Sequence, residues 1–265
     1  MRHSFVLSTL KKLLSLGHLS PSDSVLALCA AGPEQQVFSE AGLRVATISN
    51  LDDRLIRPDF PPYSWSLQDA QNLTFDDNSF DHVFVSDGLH HCSSPHRALL
   101  EMFRVARKMT IVFESRDSML MRLGCRLGLS AEFEVEAVIG SGMDRGGVNN
   151  TEVPNYVYRW TEREFAKAIQ CFHPYGPCRF QYFYGMNVPV ARLGMYRSPI
   201  KKLVAQASVP VAKLIEWVVP SQGNSFAMVA HKPGPDELWP WLKRVNGRVS
   251  FNREYAEQFR ANAKS

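Results

Sequence analysis

The segment 69–91 constrains the fold of this chain more than any other part of it. It opens with the acid-small pair Asp69-Ala70, passes through a polar turn and continues into the apolar run 83–85. A short apolar run between turn residues is typical of a strand buried in a parallel α/β sheet. Ligands of such sheets bind at the carboxyl ends of the strands. The sequence therefore predicts that Asp69-Ala70 and the polar run 87–91 meet at one edge of a sheet, in a ligand site.

Predicted strands and helices alternate along most of the chain. This βαβ alternation predicts an α/β fold with a doubly wound, mostly parallel sheet. The segment 140–150, rich in glycine and asparagine, is long enough to be a binding loop or a lid. The predicted strands cover residues 25–29, 44–49, 65–67, 82–86, 109–114, 179–184 and 225–231, and the predicted helices cover 5–16, 34–42, 95–106, 119–129 and 161–171.

Composition narrows the class of protein. The 265 residues, 45% of them hydrophobic, suffice for one large domain with an insertion. The net charge of +4 comes from scattered basic residues rather than a basic block, which disfavours a nucleic-acid partner. Five cysteines without a CxxC pair predict neither a zinc ribbon nor a disulfide framework, but reduced thiols in a cytoplasmic protein.

Neither apolar stretch of the chain has the pattern of a membrane segment. The amino-terminal stretch 1–19 is interrupted by Lys11-Lys12, unlike the continuous apolar core of a secretory signal. Residues 203–219 are interrupted by Pro210 and Lys213, so a spanning helix is not expected. We therefore expect no membrane partner.

A group of possible metal ligands follows the fourth predicted strand. It contains His90, His91, Cys92 and His96. Adjacent histidines on one strand or turn tend to point apart, and no second cluster in the sequence offers the remaining ligands. The sequence therefore predicts no metal site.

Two consecutive segments of the chain resemble the central stretch of the class I S-adenosylmethionine-dependent methyltransferases, in particular the type 11 subfamily that modifies small molecules. The segments are DAQNLTFDDNSFDHVFVSDGLHH and, after it, PHRALLEMFRVARK. Thr74 stands where that family usually has proline. The resemblance implies a Rossmann-like, doubly wound, mostly parallel seven-stranded sheet with an antiparallel last strand and helical insertions that form a lid. It also implies an amino-terminal helix (1–20), a methyltransferase-like domain (21–233) with a lid or substrate loop (115–160) and a helical insertion (186–223), and a helical tail (234–265).

The same resemblance implies S-adenosylmethionine as the cofactor and a first contact in the loop after strand one. The family writes this loop as acid-x-G-x-G-x-G, because glycines let the backbone approach a ligand closely. Here Ala27 replaces the acid, and the glycine positions hold other residues. The predicted cofactor loop is Cys29, Ala30, Ala31 and Gly32. Its small residues keep the loop narrow, and the same residues are equally compatible with a plain strand-to-helix turn.

Two acids are the next cofactor contacts that the resemblance implies. The first follows strand two and accepts hydrogen bonds from both ribose hydroxyls, which suits a carboxylate. Ser49 occupies the expected position, so either Asp52 or Asn50 takes this role. The second is Asp69, whose carboxylate would accept from the adenine amino group while the N–H of Ala70 donates to a ring nitrogen. Asp69 could instead only cap the turn that follows it.

Strand four ends in residues that the resemblance places beneath the transferred methyl group. Ser86 and Asp87 are predicted to contact the cofactor. His91 is the candidate general base, since a histidine can take a proton from an attacking hydroxyl or amine near neutral pH. His90 is assigned to the substrate, although one of the two histidines is expected to be structural. Further acceptor-side candidates, from the region that often covers the substrate in this family, are Tyr158 and Arg159.

The implied activity is transfer of a methyl group from S-adenosylmethionine to a small-molecule acceptor by in-line displacement. Alignment of the acceptor and exclusion of water would be the main tasks of the protein. A catalytically inactive protein of the same fold, acting as a binding or regulatory partner, is the alternative that the altered glycine loop supports. A nicotinamide-dependent oxidoreductase is disfavoured, because the chain lacks G-x-G-x-x-G after strand one.

Overall fold

The computed structural model describes residues 2–55, 61–128, 130–187 and 199–262. The strands of its main sheet are β1 (Ser24–Leu28), β2 (Val45–Asn50), β3 (Ser64–Leu67), β4 (Phe80–Ser86), β5 (Ala106–Ser115), β6 (Arg179–Gly185) and β7 (Ser225–His231). The helices in the described ranges are α1 (Arg2–Ser15), α2 (Gly32–Ala41), α3 (Pro95–Val105), α4 (Met119–Arg126), α5 (Val135–Gly140), α6 (Glu162–Phe172), α7 (Pro199–Val218) and α8 (Arg253–Asn262).

The sheet confirms the predicted fold class. Its strand order is β3-β2-β1-β4-β5-β7-β6. Strands β1 to β5 pair in parallel, and β7 is antiparallel to both of its neighbours. The direction of winding reverses between β1 and β4, which is the point where open α/β sheets bind their ligands. The sheet therefore opens a crevice between the carboxyl ends of β1 and β4.

Alternating side chains of β4 connect two hydrophobic cores, one on each face of the sheet. Phe84 packs with helices α1 and α2 through Leu13 and Phe38. Val83 and Val85 point to the other face and pack with α3 and α6. Successive side chains of a strand point to opposite faces of the sheet, so a strand that is covered on both faces needs apolar residues at every position. The run 83–85 thus marks a central strand of the sheet.

The carboxyl-terminal tail differs from its prediction. A wholly helical tail over 234–265 is wrong, because Leu242–Val245 (β8) and Arg248–Phe251 (β9) form an antiparallel hairpin before α8. Its two turn residues, Asn246 (φ 50°) and Gly247 (φ 79°), both have positive φ. Asn-Gly is the sequence that favours such a turn. The Asn246-Gly247 pair in the sequence therefore indicates a hairpin here, in place of the predicted helix.

The insertions match their predictions in part. Helix α7 lies within the predicted insertion 186–223, of which residues 188–198 are outside the described residues. The predicted helix 119–129 ends at Arg126, and α5 lies in the lid region without having been predicted. In the described part of the chain, no helix combines the length and the apolar character needed to cross a bilayer. The division of the chain into domains stays a prediction.

Asp81 joins the amino ends of three central strands. Its carboxylate accepts from the backbone N–H and the hydroxyl of Ser24 at 3.0 Å each, and it pairs with Arg107 and Lys108, also at 3.0 Å. Burial opposes ionisation, but the hydrogen bonds from Ser24 and Lys108 outweigh it and hold the pKa of Asp81 well below its usual value. The ionised carboxylate is therefore part of the folded structure.

We expect Asp81→Asn to lower the free energy of unfolding by about 2 kcal/mol at pH 7, since it removes charge-assisted hydrogen bonds at a largely buried site. A carboxyl whose pKa is lower in the folded state stabilises the protein above its unfolded pKa of about 3.9 and loses that effect as the pH falls. The difference between the two proteins should therefore shrink below pH 4. Urea unfolding at pH 7 and pH 3 measures it.

Asp77→Asn is the matched control, because this side chain is 70% exposed and pairs with Arg104 at 2.9 Å. Its expected cost is about 0.5 kcal/mol or less, as for other surface ion pairs. Equal losses in the two variants would contradict the role of Asp81.

Candidate functional site

A cavity of about 230 Å³ lies at the crevice between the ends of β1 and β4. One wall comes from the strand ends, and another comes from the segment 146–150. Sequence-predicted residues that line the cavity are Cys29, Asn50, Asp52, Asp69, Ala70, Asp87 and His91. The structure thus brings together residues from the ends of β1, β2, β3 and β4, separated by up to 62 positions in the chain.

The loop after β1, which lacks the usual glycines, can still pack closely against the loop after β4, because Gly88 of that second loop lies opposite it. Cys29 has a positive φ of 52°, a backbone conformation that costs free energy for residues other than glycine. A Cβ added to Gly88 would lie 2.5 Å from the Cβ of Cys29 and 2.8 Å from Cγ2 of Val85. The side chain of Cys29 therefore occupies the space that Gly88 leaves free. The close approach of the two loops depends on Gly88 rather than on a glycine after β1.

The rest of the predicted cofactor loop forms the turn into α2. The N–H of Ala30 donates to the Ser49 carbonyl at 2.8 Å, and the N–H of Ala31 donates to the Glu34 carboxylate at 2.8 Å. Gly32 is the first residue of α2 and is exposed. None of these three is among the described residues that line the cavity, so their contact with a cofactor stays a prediction.

Both candidates for the ribose contact lie at the end of β2. Asn50 donates from its side chain to the Ala30 carbonyl at 3.2 Å. Asp52 accepts from Arg54 at 2.6 Å and from Arg145 at 3.2 Å. These hydrogen bonds, with that of Arg54 the strongest influence, hold the pKa of Asp52 below its usual value. Arg145 therefore ties the lid region to Asp52, one of the two predicted ribose contacts.

Asp69 faces the cavity and also shapes the turn around it. One carboxylate oxygen accepts from the N–H of Gln71 at 2.9 Å. The Gln71 side chain in turn donates to Oδ1 of Asn149 at 3.0 Å, and the N–H of Ser93 donates to the same oxygen at 2.9 Å. The segment 146–150 is thereby attached to the loops after β3 and β4. Asp69 therefore caps the turn and lines the cavity, and its contact with the adenine stays a prediction.

The predicted residues at the end of β4 separate into two groups. Asp87, with a positive φ of 54°, lines the cavity, and its N–H donates to the Phe113 carbonyl at 2.9 Å. Ser86 is half-buried and is not among the described lining residues. His90 is buried behind the cavity, whereas His91 lines it. The structure therefore places His91 at the pocket and His90 outside the described lining, so the assignment of His90 to the substrate has no support from the cavity, and the roles of both stay predictions.

Two glutamates that the sequence did not single out surround these histidines. Glu114 is fully buried at the end of β5; it accepts from the N–H of Leu89 at 2.7 Å and contacts Nδ1 of His90 at 2.6 Å. Glu134 comes from the lid region, and its Oε2 lies 3.3 Å from Nε2 of both His90 and His91. The four side chains form a polar cluster that joins β4, β5 and the lid.

The charges in this cluster shift its pKa values in opposite directions. Burial disfavours protonated His90, but the charges of Glu114 and then Glu134 prevail and raise the pKa of His90 to about 10. Contact with His90 lowers the pKa of Glu134 to about 2. Burial, followed by the charge of His90, lowers the pKa of His91. At neutral pH the metal-free cluster therefore holds a cationic His90 between two carboxylates, beside a neutral His91.

Tyr158 and Arg159 lie apart from the cavity. The hydroxyl of Tyr158 donates to the carboxylate of Glu164, and Arg159 donates to the Ala131 carbonyl at 2.7 Å and to the hydroxyl of Ser130 at 3.1 Å. Neither is among the described residues that line the cavity. Their acceptor-side role stays a prediction; in the structure Tyr158 bonds to α6, and Arg159 joins two parts of the lid region.

A larger depression of about 480 Å³ lies over the start of α6, bordered by His96, Arg163 and Lys167. It is more open than the cavity and, apart from His96, is lined by residues of α6 and by Thr161 directly before it. Glu164 in its border pairs with His96 at 3.2 Å. Because the crevice at the strand ends collects the acids and histidines, we take the smaller cavity as the functional site.

Comparisons with known proteins agree with this geometry. A family model described as a methyltransferase domain matches residues 29–113, which run from the loop after β1 to the end of β5. Residues 29–113 therefore belong to a methyltransferase domain. An S-adenosylmethionine-dependent methyltransferase from Archaeoglobus fulgidus has the same fold as the chain, with a TM-score of 0.51 and 10% identity over 87% of this chain and 94% of that one. YcgJ from Bacillus subtilis gives a TM-score of 0.51 and 12% identity over 86% and 99%.

One curated relative also matches the methyltransferase domain. It is the demethylmenaquinone methyltransferase of Renibacterium salmoninarum, 36% identical over 93 residues. The match takes in 33% of this chain and 38% of the relative. The similarity therefore concerns the domain, and it covers well under two thirds of the relative's length.

Proposed function

We propose that this protein transfers a methyl group from S-adenosylmethionine to a small-molecule acceptor. The observation that carries the proposal is the meeting of Asn50, Asp52, Asp69 and Asp87 with His91 around one cavity at the switch point of the sheet. Hydrogen-bond acceptors dominate this set. They suit the amino groups and hydroxyls of a nucleoside, and the acids suit the positive charge of a sulfonium.

In the proposed complex the chain's own residues divide the work. Asp69 and the N–H of Ala70 hold the adenine, and Asn50 holds the ribose, with Asp52 joining it when Arg145 moves away. His91, on the cavity wall, faces the acceptor and can take its proton. Bound S-adenosylmethionine supplies an activated methyl group, so the remaining task of the site is to align the acceptor and exclude water.

Admission of the cofactor requires a movement of the lid region. The cavity of about 230 Å³ is smaller than the roughly 300–1,000 Å³ typical of small-molecule sites. The segment 146–150, which lines the cavity and is attached through Arg145 to Asp52, is the part that would move outward. Many enzymes open and close a loop in this way at each turnover.

A small-molecule acceptor is favoured by the partly enclosed cavity, in which apolar lining residues such as Leu51, Leu55 and Ala70 accompany the polar ones. The demethylmenaquinone methyltransferase similarity supports the same class of acceptor. The basic residues are scattered along the sequence and do not form the basic cluster that a nucleic-acid partner would require. We also propose a cytoplasmic location for this enzyme, as expected of reduced cysteines.

Titration calorimetry with S-adenosylmethionine and S-adenosylhomocysteine, in buffer with a chelator, tests the proposal. Asp69→Ala should weaken binding about 10- to 100-fold, since a hydrogen bond to a charged group contributes about 1.5–3 kcal/mol. Asp76→Ala, in the same connection between β3 and β4 but exposed, is the matched control and should bind as the native protein does. Absence of saturable heat from the native protein would favour the alternative, a catalytically inactive binding or regulatory protein of the same fold.

A further inference from the structure

Three potential metal ligands converge beside the cavity. Nε2 of His90 and Nε2 of His91 each lie 3.3 Å from the same oxygen, Oε2 of Glu134. All three atoms are within 4.8 Å of one another. The sequence predicted no metal here because adjacent histidines usually diverge and no further ligand was visible. In the folded chain the two imidazole rings instead lie side by side, with centroids 4.7 Å apart and planes tilted by 34°.

The two distances to Glu134 fit ligands around one ion. Charge-assisted hydrogen bonds between nitrogen and a carboxylate are usually about 2.7–2.9 Å long, and both contacts of Glu134 exceed that length equally. Ligand atoms about 2.0–2.2 Å from a tetrahedral metal are separated from each other by roughly 3.3–3.6 Å. We propose that His90, His91 and Glu134 bind one divalent first-row transition-metal ion.

Two of the proposed ligands are held by a second residue, as in established metal sites, where such partners fix the orientation of the ligands. Buried Glu114 contacts Nδ1 of His90 at 2.6 Å, which directs Nε2 toward the site. The side-chain amide of Asn155, itself 2% exposed, donates to Oε2 of Glu134 at 3.5 Å. A chance meeting of surface groups would not include these supports.

The ligand set indicates which ions the site takes. Two imidazoles and one carboxylate suit Zn²⁺, Fe²⁺ or Co²⁺, whereas Mg²⁺ and Ca²⁺ prefer oxygen ligands only. Three protein ligands leave at least one coordination position open, as in catalytic zinc sites. The side chains of His91 and Glu134 are 30% and 29% exposed, so an ion can enter from solvent. His91 also lines the cavity, which places the open position within reach of its contents.

A role for the ion in methyl transfer rests on the proposed function, whereas metal binding itself does not. An acceptor with a hydroxyl group is the chemical class that the site would take, because coordination makes a bound hydroxyl more acidic. The hydroxyl proton would pass to water. The acceptor oxygen would then bond to the methyl carbon as the carbon–sulfur bond breaks and its electron pair stays on sulfur. Since the ion uses Nε2 of His91, it would replace that residue as the group that activates the acceptor.

Titration of the untagged, chelator-treated protein with Co²⁺ alone tests the site. The visible absorption of Co²⁺ bound by nitrogen and oxygen should saturate at one equivalent per chain. His91→Gln and Glu134→Gln should each weaken the binding at least about tenfold. Glu114→Gln, which weakens the support of His90 while its amide oxygen can still accept from the N–H of Leu89, should lower the affinity about 10- to 100-fold. Thermal unfolding of each variant in chelator verifies that the variant is folded.

Glu132→Gln is the matched control, because Glu132 is exposed and lies two residues from the proposed ligand. It should bind Co²⁺ as the native protein does. Absence of saturable binding to the native protein, or equal affinities of Glu132→Gln and Glu134→Gln, would overturn the site. The Co²⁺ titration contains no S-adenosylmethionine and the cofactor calorimetry contains chelator. Failure of the metal site and failure of the proposed function are therefore distinguishable.

Discussion

Gly88→Ala is expected to lower the free energy of unfolding by about 3 kcal/mol and to abolish measurable cofactor binding. The added Cβ would lie 2.5 Å from the Cβ of Cys29 and 2.8 Å from Cγ2 of Val85. Overpacking of this kind usually costs about 1–3 kcal/mol, and the upper end applies because Cys29 and Val85 are anchored in neighbouring strands. Relief of the clash would push apart the loops after β1 and β4, which form one wall of the cavity. Urea unfolding and titration calorimetry measure the two effects.

Gly32→Ala is the control for this prediction. Gly32 is the one glycine in the predicted cofactor loop, yet a Cβ there would meet nothing within 4 Å. This variant should change the free energy of unfolding by less than about 0.5 kcal/mol, as is usual for surface substitutions. The double variant Cys29→Gly with Gly88→Ala should recover part of the loss, because it removes the nearest clashing side chain. A neutral Gly88→Ala would show that the two loops are not packed as described.

Trp160→Ala is expected to lower the free energy of unfolding by about 4 kcal/mol, within the range of about 3–5 kcal/mol for buried aromatic residues. Trp160 is fully buried, and its ring packs 4.8 Å from that of His96 and 5.1 Å from that of Tyr158. Its backbone joins the lid region to the end of β5, through a 2.9 Å hydrogen bond from its N–H to the carbonyl of Ser115. Loss of the ring should therefore also loosen the segment that carries Glu134.

Trp217→Ala tests whether burial is the cause. The side chain of Trp217 is 81% exposed on α7, and its removal should cost less than about 0.5 kcal/mol. Amide hydrogen exchange over residues 130–157 should rise in Trp160→Ala and stay unchanged in Trp217→Ala. If the two tryptophan variants lose equal stability, or if exchange in the lid is unaffected, Trp160 is not its anchor.

The prediction of the fold succeeded because short-range patterns suffice for a sheet of this kind. Apolar runs such as 83–85 mark strands buried on both faces, and helices between them require parallel, right-handed connections. The main failure lay in the tail, where Asn246-Gly247 specified a hairpin. Local turn chemistry was decisive there.

For the site, the sequence indicated the edge of the sheet and several of its residues. Asp69, Asp87 and His91 follow strands, and residues at the ends of neighbouring parallel strands must lie close together. The family resemblance named the cofactor from the same residues. Positions in loops do not follow from strand order: Tyr158 and Arg159 lie outside the cavity, because Tyr158 donates to Glu164 of α6 and Arg159 donates to the Ala131 carbonyl.

The sequence by itself determined the parallel sheet, the edge where ligands bind and the acids that line it, since these follow from periodicity along single segments. Only the tertiary structure decided the contacts between distant segments. Three such contacts shape the site, and no local sequence pattern relates the residues that make them. They are the packing of Gly88 against Cys29, the ion pair of Arg145 with Asp52, and the contacts of Glu134 with His90 and His91. The physical reason is that a long loop carries no period that fixes where its side chains lie. Their positions are set by packing and charge pairing once the sheet has formed.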